Sequence, residues 1–173
     1  MPNKSHSIFK FCPVCGSKLS RKFHDHLKRL VCSKCEFVYY QNSKPTVSAL
    51  IKNKQGEILL VRRGVPPNKG AWDTPGGFLE NGEDPIPGLK REMKEELNVT
   101  LKNIKYFGIY TDFYFERYNL FTLNIIYTCG IKSGKIKPQD DVSEIGWFKP
   151  KDFPLNKMAF RWIKEALRDY SKK

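Results

Sequence analysis

No histidine occurs in this chain beyond position 26. The stretch from 46 to 173 therefore cannot assemble a Ser-His-Asp or Cys-His site, both of which need an imidazole as base. Long apolar runs are also missing: no stretch of about 18 apolar residues exists, so no membrane-spanning helix is expected. The opening Met-Pro-Asn-Lys-Ser-His-Ser has no apolar signal core, and a cytoplasmic protein is the expectation. Acidic residues are few, 18 against 31 basic ones, for a formal charge of +13. That excess favours polyanionic ligands, nucleotide or nucleic acid, or serves solubility alone.

What is present fits one ordinary domain plus a small appendage. The 173 residues are 40% hydrophobic and 13% aromatic, enough for a packed core. Residues 1–10 read as a disordered lead. Residues 11–40 hold four cysteines and little aliphatic material, too little to fold on a hydrophobic core alone. Residues 41–45, Gln-Asn-Ser-Lys-Pro, form a polar linker, and the main domain spans 46–173. Strands are expected at Thr46–Ile51, Ile58–Val61, Lys105–Tyr110, Leu120–Cys129 and Ile145–Phe148. Gly64–Gly77 is rich in proline and glycine and reads as loop. Asp84–Leu97 and Lys157–Tyr170 read as helices, with Pro85 suited to a first turn. Strands and helices interleave without regular βαβ repeats, which predicts a mixed sheet covered by helices.

Cys12, Cys15, Cys32 and Cys35 form C-x2-C-x16-C-x2-C, a spacing suited to a tetrahedral zinc site. Four thiolates fill the coordination of Zn2+, so such a metal is structural. Gly16 permits the tight turn after Cys15. Two disulfides are the competing reading, and His6, His24 and His26 are alternative ligands. Lys10, Lys18, Arg21, Lys22, Lys28, Arg29 and Lys34, interleaved with Phe11, Phe23, Phe37, Tyr39 and Tyr40, also leave nucleic-acid binding open. Cys129 stands alone in an apolar pattern and reads as a small buried hydrophobe.

The densest chemistry lies between Gly77 and Val99. Gly77 is followed after five residues by Glu83, and after seven more by Arg91-Glu92-Met93-Lys94-Glu95-Glu96. At about 100° per residue, Ile86, Met93 and Leu97 fall within about 80° of Leu89 and form a buried stripe. Glu96, Glu92 and Glu95 lie about 20°, 60° and 120° to the other side. Like charges at i, i+3 and i+4 cost stability unless a cation neutralises them. Carboxylates without histidine or cysteine favour a hard ion, Mg2+ or Mn2+.

This skeleton resembles the Nudix box, G-x5-E-x7-R-E-U-x-E-E-x-G-U, where U is bulky and aliphatic. Asn98 stands where the family has glycine, and asparagine is the next-best left-handed residue at a helix end. A four-cysteine ribbon joined to such a box resembles the NADH pyrophosphatase branch. That branch carries Ser-Gln-Pro-Trp-Pro-Phe-Pro after the box. Here the stretch reads Tyr110-Thr111-Asp112-Phe113-Tyr114-Phe115-Glu116-Arg117-Tyr118. The resemblance is therefore to shorter ribbon-bearing members, which implies ADP-ribose-like compounds ahead of NADH. It implies an α/β protein: a Nudix α/β/α sandwich with a mixed sheet, preceded by a small zinc ribbon. The Gly77 carbonyl, Glu92, Glu95 and Glu96 would bind Mg2+ or Mn2+, and water would attack a diphosphate bridge. Glu144, shortly before Trp147-Phe148, is the first candidate base, and Glu80 is a further acid near the metals. Arg62 and Arg63 would meet phosphates. Tyr110, Phe113, Tyr114, Tyr118 and Phe160 are candidates to flank the base. The family also implies a homodimer as a possible assembly. Two other readings stay open: a nucleic-acid-binding nucleotide sensor and an RNA-cap-removing enzyme.

Overall fold

The computed structural model describes residues 9–115 and 119–172. The described chain divides into two compact units, one of residues 9–42 with Asn119, the other of residues 43–115 and 120–172. Most of the expected disordered lead, His6 and Tyr118 lie outside the described residues.

The first unit is a three-stranded antiparallel sheet, ordered β1 (Leu19–His24), β2 (Leu27–Cys32), β3 (Val38–Tyr39). Its interior is small, with Cys12, Val31 and Cys32 buried. So few apolar side chains cannot offset the entropy of ordering the segment, which makes the cysteine cluster its organising element.

The second unit contains two sheets. One is ordered β7 (Gly76–Phe78), β4 (Lys44–Ile51), β9 (Leu120–Ser133), β8 (Thr100–Phe115). It is mixed, because β4 runs parallel to β9 while the other pairs are antiparallel. The other is antiparallel, ordered β10 (Val142–Phe148), β5 (Ile58–Arg63), β6 (Trp72–Asp73). Helix α1 (Pro85–Leu97) and helix α2 (Arg161–Ser171) build one core each. The alternation of β4 shows how: Val47, Ala49 and Ile51 join Leu89, Met93 and Leu97 of α1, while Leu50 joins Ile163, Ala166 and Leu167 of α2. In β5, Leu59 and Val61 go to the first core, Ile58 and Leu60 to the second. A strand buried on both faces needs a continuous apolar run, and both strands have one. The architecture is the expected α/β/α sandwich around a mixed sheet.

Several boundaries differ from those read in the sequence. Gly64–Gly77 is not all loop, since it contains β6 and the start of β7. Trp72 and Asp73 pair with Arg62 and Val61, and Gly76 and Gly77 pair with Ser48 and Val47. Glycine in a strand marks close backbone approach. A side chain on Gly76 would overlap the Val47 carbonyl oxygen. Strands β8 and β9 run further than expected, β8 from Thr100 to Phe115 and β9 as far as Ser133. Helix α2 starts at Arg161 rather than Lys157, after a single 3-10 turn at Leu155–Lys157.

Helix α1 starts after Asp84, with Pro85 in its first turn, and closes on Asn98 in the left-handed conformation at φ 54°. The Asn98 amide donates to the Lys94 carbonyl, and the Val99 amide to that of Met93. Leu89, Met93 and Leu97 are fully buried, but Ile86 is 41% exposed and leaves the predicted stripe. Buried Gly88 takes its place, because a side chain there would meet Leu79 and Glu83.

Candidate active site

In the first unit, the Sγ atoms of Cys12 and Cys35 lie 3.6 Å apart and those of Cys15 and Cys32 3.5 Å apart. All four lie within 4.8 Å of one another, and none forms a disulfide. A tetrahedron of Zn–S bonds has edges of about 3.8 Å, so the spacing suits four thiolates on one zinc. The Val14 and Lys34 amides donate to Cys12 Sγ and Cys32 Sγ, each at 3.4 Å. Gly16 and Glu36 follow the two pairs with φ 71° and 58°, so both turns close through the left-handed region. His24 lies beside Asp25, 3.5 Å away.

In the second unit, the box residues converge on a guanidinium. Arg91 Nε and Nη2 donate to the two oxygens of Glu83 at 2.9 and 2.8 Å. Its Nη1 donates to Glu92 at 2.8 Å and to Glu95 at 2.9 Å, and Nη2 also reaches the Phe78 carbonyl. The bond from Arg91 holds the Glu83 carboxyl down at about 2. Among the described residues, only the four cysteines bring three or more metal-ligating atoms within 4.8 Å of one another. The box carboxylates ring Arg91 instead.

Glu92 and Glu96 are buried. Burial raises both carboxyls above their ordinary range, Glu96 well above it. Nearby Glu92, Asp73 and Asp141 push Glu96 further up, opposed by one bond from the Gly76 amide at 2.8 Å. The strand β7 thus fixes Glu96 through Gly76. Gly77 accommodates Glu92, since a Cβ there would fall 2.5 Å from its Oε1.

Gly76, Gly77 and Glu96 border a cleft of about 100 Å3 that opens to solvent. One wall is aromatic. Tyr114 stacks on Phe160 at 5.3 Å and 23°, and Phe78 meets Tyr114 edge-on at 5.2 Å. The floor is polar: Thr46 donates to Asn124, which donates to Thr122 and to the Tyr110 carbonyl. Phe160 precedes α2, where the Ala159 amide donates to the Trp72 carbonyl at 2.8 Å. Arg63 is pinned by Asp73 at 3.0 Å and by the Pro67 carbonyl at 2.7 Å, 5.3 Å above the Phe160 ring. Burial pushes Asp73 up to about 6 in spite of this pair.

Among the residues predicted to touch substrate, Arg63, Tyr114 and Phe160 line the cleft. Arg62, Tyr110, Phe113 and Glu144 are not among its lining residues. Arg62 stacks over Trp72 and pairs with Glu144 at 2.8 Å. Tyr110 donates to Asp169 of α2, and Phe113 packs edge-on against Phe121. Glu80 donates its amide to Glu83. Asp73, Thr74 and Asp141 line the cleft without having been assigned a role from the sequence. Thr74 is buried, and its hydroxyl has no hydrogen-bond partner among the described residues. The Trp72-Asp73 dipeptide before Pro75-Gly76-Gly77 was the available signal, but its meaning depends on the β5–β6 register.

A pair of buried glutamates beside such a cleft accords with the family model described as the NUDIX domain, which matches residues 42–170. The chain belongs to the Nudix family. A second model, described as Nudix N-terminal and named for a zinc ribbon, matches residues 10–41. Among curated relatives, the NAD-capped RNA hydrolase NudC of Pseudomonas aeruginosa is 30% identical over 142 residues, covering 80% of this chain and 47% of its own length. That of Haemophilus influenzae is 35% identical over 101 residues, covering 57% and 37%. This chain thus spans about half the length of the curated relatives it matches or less. Among solved structures, a Nudix hydrolase from Nitrosomonas europaea superposes with a TM-score of 0.78 at 28% identity, covering 95% of this chain and 91% of that one. The Nudix domain of Shewanella oneidensis NrtR, solved with ADP ribose, shares the fold at a TM-score of 0.61 and 23% identity, covering 76% and 90%. Among the described residues, no helix is long and apolar enough to cross a membrane.

Proposed function

We propose that this Nudix protein hydrolyses the diphosphate bond of a nucleoside-diphosphate derivative, ADP-ribose-like or a dinucleotide such as NADH, with Mg2+ or Mn2+ as cofactor. One observation carries the reading: Glu92 and Glu96 are buried, Glu92 bonded to Arg91 and Glu96 to the Gly76 amide, and Glu96 opens onto a cleft with an aromatic wall. Buried carboxylates that cluster at such cost call for a cation, and their oxygens suit a hard one. Gly77 through its carbonyl, Glu92, Glu95 and Glu96 are the residues that would hold it. Bound there, a divalent ion supplies charge neutralisation of the phosphate oxygens and acidifies water.

The chain's own groups do the rest. The Phe78–Tyr114–Phe160 wall offers the base a stacking surface. Arg63 presents a guanidinium to the same cleft, although Asp73 already offsets part of its charge. Glu144, the base candidate read from the sequence, is half exposed and paired with Arg62 outside the cleft lining, so it would reach the attacking water only by leaving that pair. Asp141, which lines the cleft, is the alternative, and Glu144→Gln against Asp141→Asn separates them by which one flattens the pH–rate profile. In the ribbon, Cys12, Cys15, Cys32 and Cys35 would hold a structural Zn2+.

The test is incubation with Mg2+ and a panel of ADP-ribose, NADH, nucleoside triphosphates, nucleotide sugars and capped RNA, following release of AMP or phosphate. Cleavage of one member by wild type and its loss in Glu96→Gln is expected. Equal turnover by both proteins overturns the assignment. The NAD-capped RNA relatives favour a second reading, in which the nucleotide is the cap of an RNA. Faster cleavage of capped RNA than of the free dinucleotide would select it.

A further inference from the structure

The ribbon hairpin carries a side chain that its own folding does not use. Phe23 lies inside β1, yet it is 74% exposed and takes no part in the small interior of Cys12, Val31 and Cys32. The register places Phe23 opposite Lys28 and Arg21 opposite Leu30. Directly opposed residues share a face, as do residues two apart, so Arg21, Phe23 and Lys28 lie together on one side. All three are exposed. The other face is cationic too, since Lys22 opposes Arg29, whose guanidinium lies 4.5 Å over the Tyr40 ring. Seven basic residues stand between Phe9 and Asn42, against two acidic ones, Asp25 and Glu36. Asp25 sits at the hairpin turn and is engaged by Tyr40 at 2.7 Å and His24 at 3.5 Å. Glu36 belongs to the second cysteine turn.

We propose that the Arg21–Phe23–Lys28 face of this hairpin docks single-stranded nucleic acid. Phe23 stacks on a base while Arg21 and Lys28 meet the flanking phosphates. Cations alone would accept any polyanion, but an exposed ring between two of them adds affinity only for a partner that has π faces as well as charge. In a duplex those faces are already stacked, so the partner is single-stranded. The inference rests on the hairpin's own geometry and stands apart from the hydrolysis reading, because binding needs no turnover.

The experiment is fluorescence anisotropy of a labelled single-stranded RNA with the full zinc-loaded chain, at two salt concentrations. Variants are Phe23→Ala, Phe23→Trp and the pair Arg21→Ala with Lys28→Ala. Zinc content and circular dichroism show that each variant is folded, and turnover of a free dinucleotide is read in parallel. Phe23→Ala should weaken binding roughly tenfold and Phe23→Trp should restore it. The double variant should reduce the salt slope by about 1.4. Turnover of the free dinucleotide should stay at its wild-type level in all three. No binding by wild type, unchanged binding in Phe23→Ala, or equal competition by polyglutamate or by duplex RNA would each overturn the proposal. So would a loss of self-association in Phe23→Ala without any effect on RNA.

Discussion

The carboxylate of Glu92 occupies the space into which a side chain on Gly77 would project. A Cβ built on that glycine would stand 2.5 Å from Oε1, 2.6 Å from Cδ and 2.7 Å from Oε2. An alanine at 77 would have to move a carboxylate fifteen residues further along.

Gly77→Ala is therefore expected to displace Glu92 and lower kcat by about a hundredfold, the scale of an ångström misplacement in a catalytic constellation. Stability should fall by only about 1–3 kcal/mol, as for other overpacked sites. Steady-state kinetics beside urea unfolding checks both. Wild-type kcat in a folded Gly77→Ala protein would show that the contact is incidental.

Glu96→Gln should separate activity from stability. The amide still accepts from the Gly76 N–H, but it removes a buried charge that Glu92, Asp73 and Asp141 repel. Turnover should fall by about a thousandfold. The same substitution should stabilise the metal-free protein by about 1 kcal/mol, since an under-solvated charge is gone. Calorimetry with a chelator present reads the second effect, and a lower melting point would contradict it.

Acid stability should report the Glu83–Arg91 pair. The folded Glu83 carboxyl sits at about 2, below its ordinary 4.5. A depressed carboxyl contributes stability that is complete above the unfolded value and fades as pH falls toward the folded one. Urea midpoints of wild type should therefore drop more steeply between pH 4.5 and 2 than those of Glu83→Gln. Parallel curves would remove the pair from the balance.

Asp112 holds the start of α2 from a neighbouring strand. Its Oδ2 accepts from the Trp162 amide at 3.0 Å and its Oδ1 from the Phe113 amide at 2.8 Å. Asp112→Ala should cost about 1–2 kcal/mol, the range of a lost helix cap. Because Phe160 immediately precedes that helix, KM should rise while zinc content stays unchanged. An unaltered unfolding midpoint would show that the helix start is held elsewhere.

The sequence made α1 legible because two signals agreed there. The period of Leu89, Met93 and Leu97 fixed the buried side, and the remaining acids then had to share the adjacent flank. Ile86 broke the pattern because periodicity does not say where the sheet beneath a helix ends. The cysteine cluster was legible from spacing alone, since C-x2-C imposes its own turn. The strands β6 and β7 were hidden by Pro75, Gly76 and Gly77, which read as loop until the pairing with β4 is known. The Arg63–Asp73 pair was hidden for a similar reason: it follows from a register that puts Asp73 opposite Val61. Arg62 and Arg63 looked alike in sequence, yet only Arg63 borders the cleft, because adjacent residues of a strand point to opposite faces.

Arg91 gives the box carboxylates a resident counter-charge, bonded to Glu83, Glu92 and Glu95 at once. One guanidinium offsets only part of the charge on three carboxylates, so the cluster can assemble around it and still attract a cation. On the proposed metal reading, the domain would therefore fold before it meets its ion, and scarcity of that ion would idle it without dismantling it. In the ribbon the four Sγ atoms meet one another, with the Val14 and Lys34 amides on two of them. One chain thus joins two contrasting designs: carboxylates gathered by a charge the sequence itself supplies, and thiols that, on the zinc reading, would be gathered by a charge from outside.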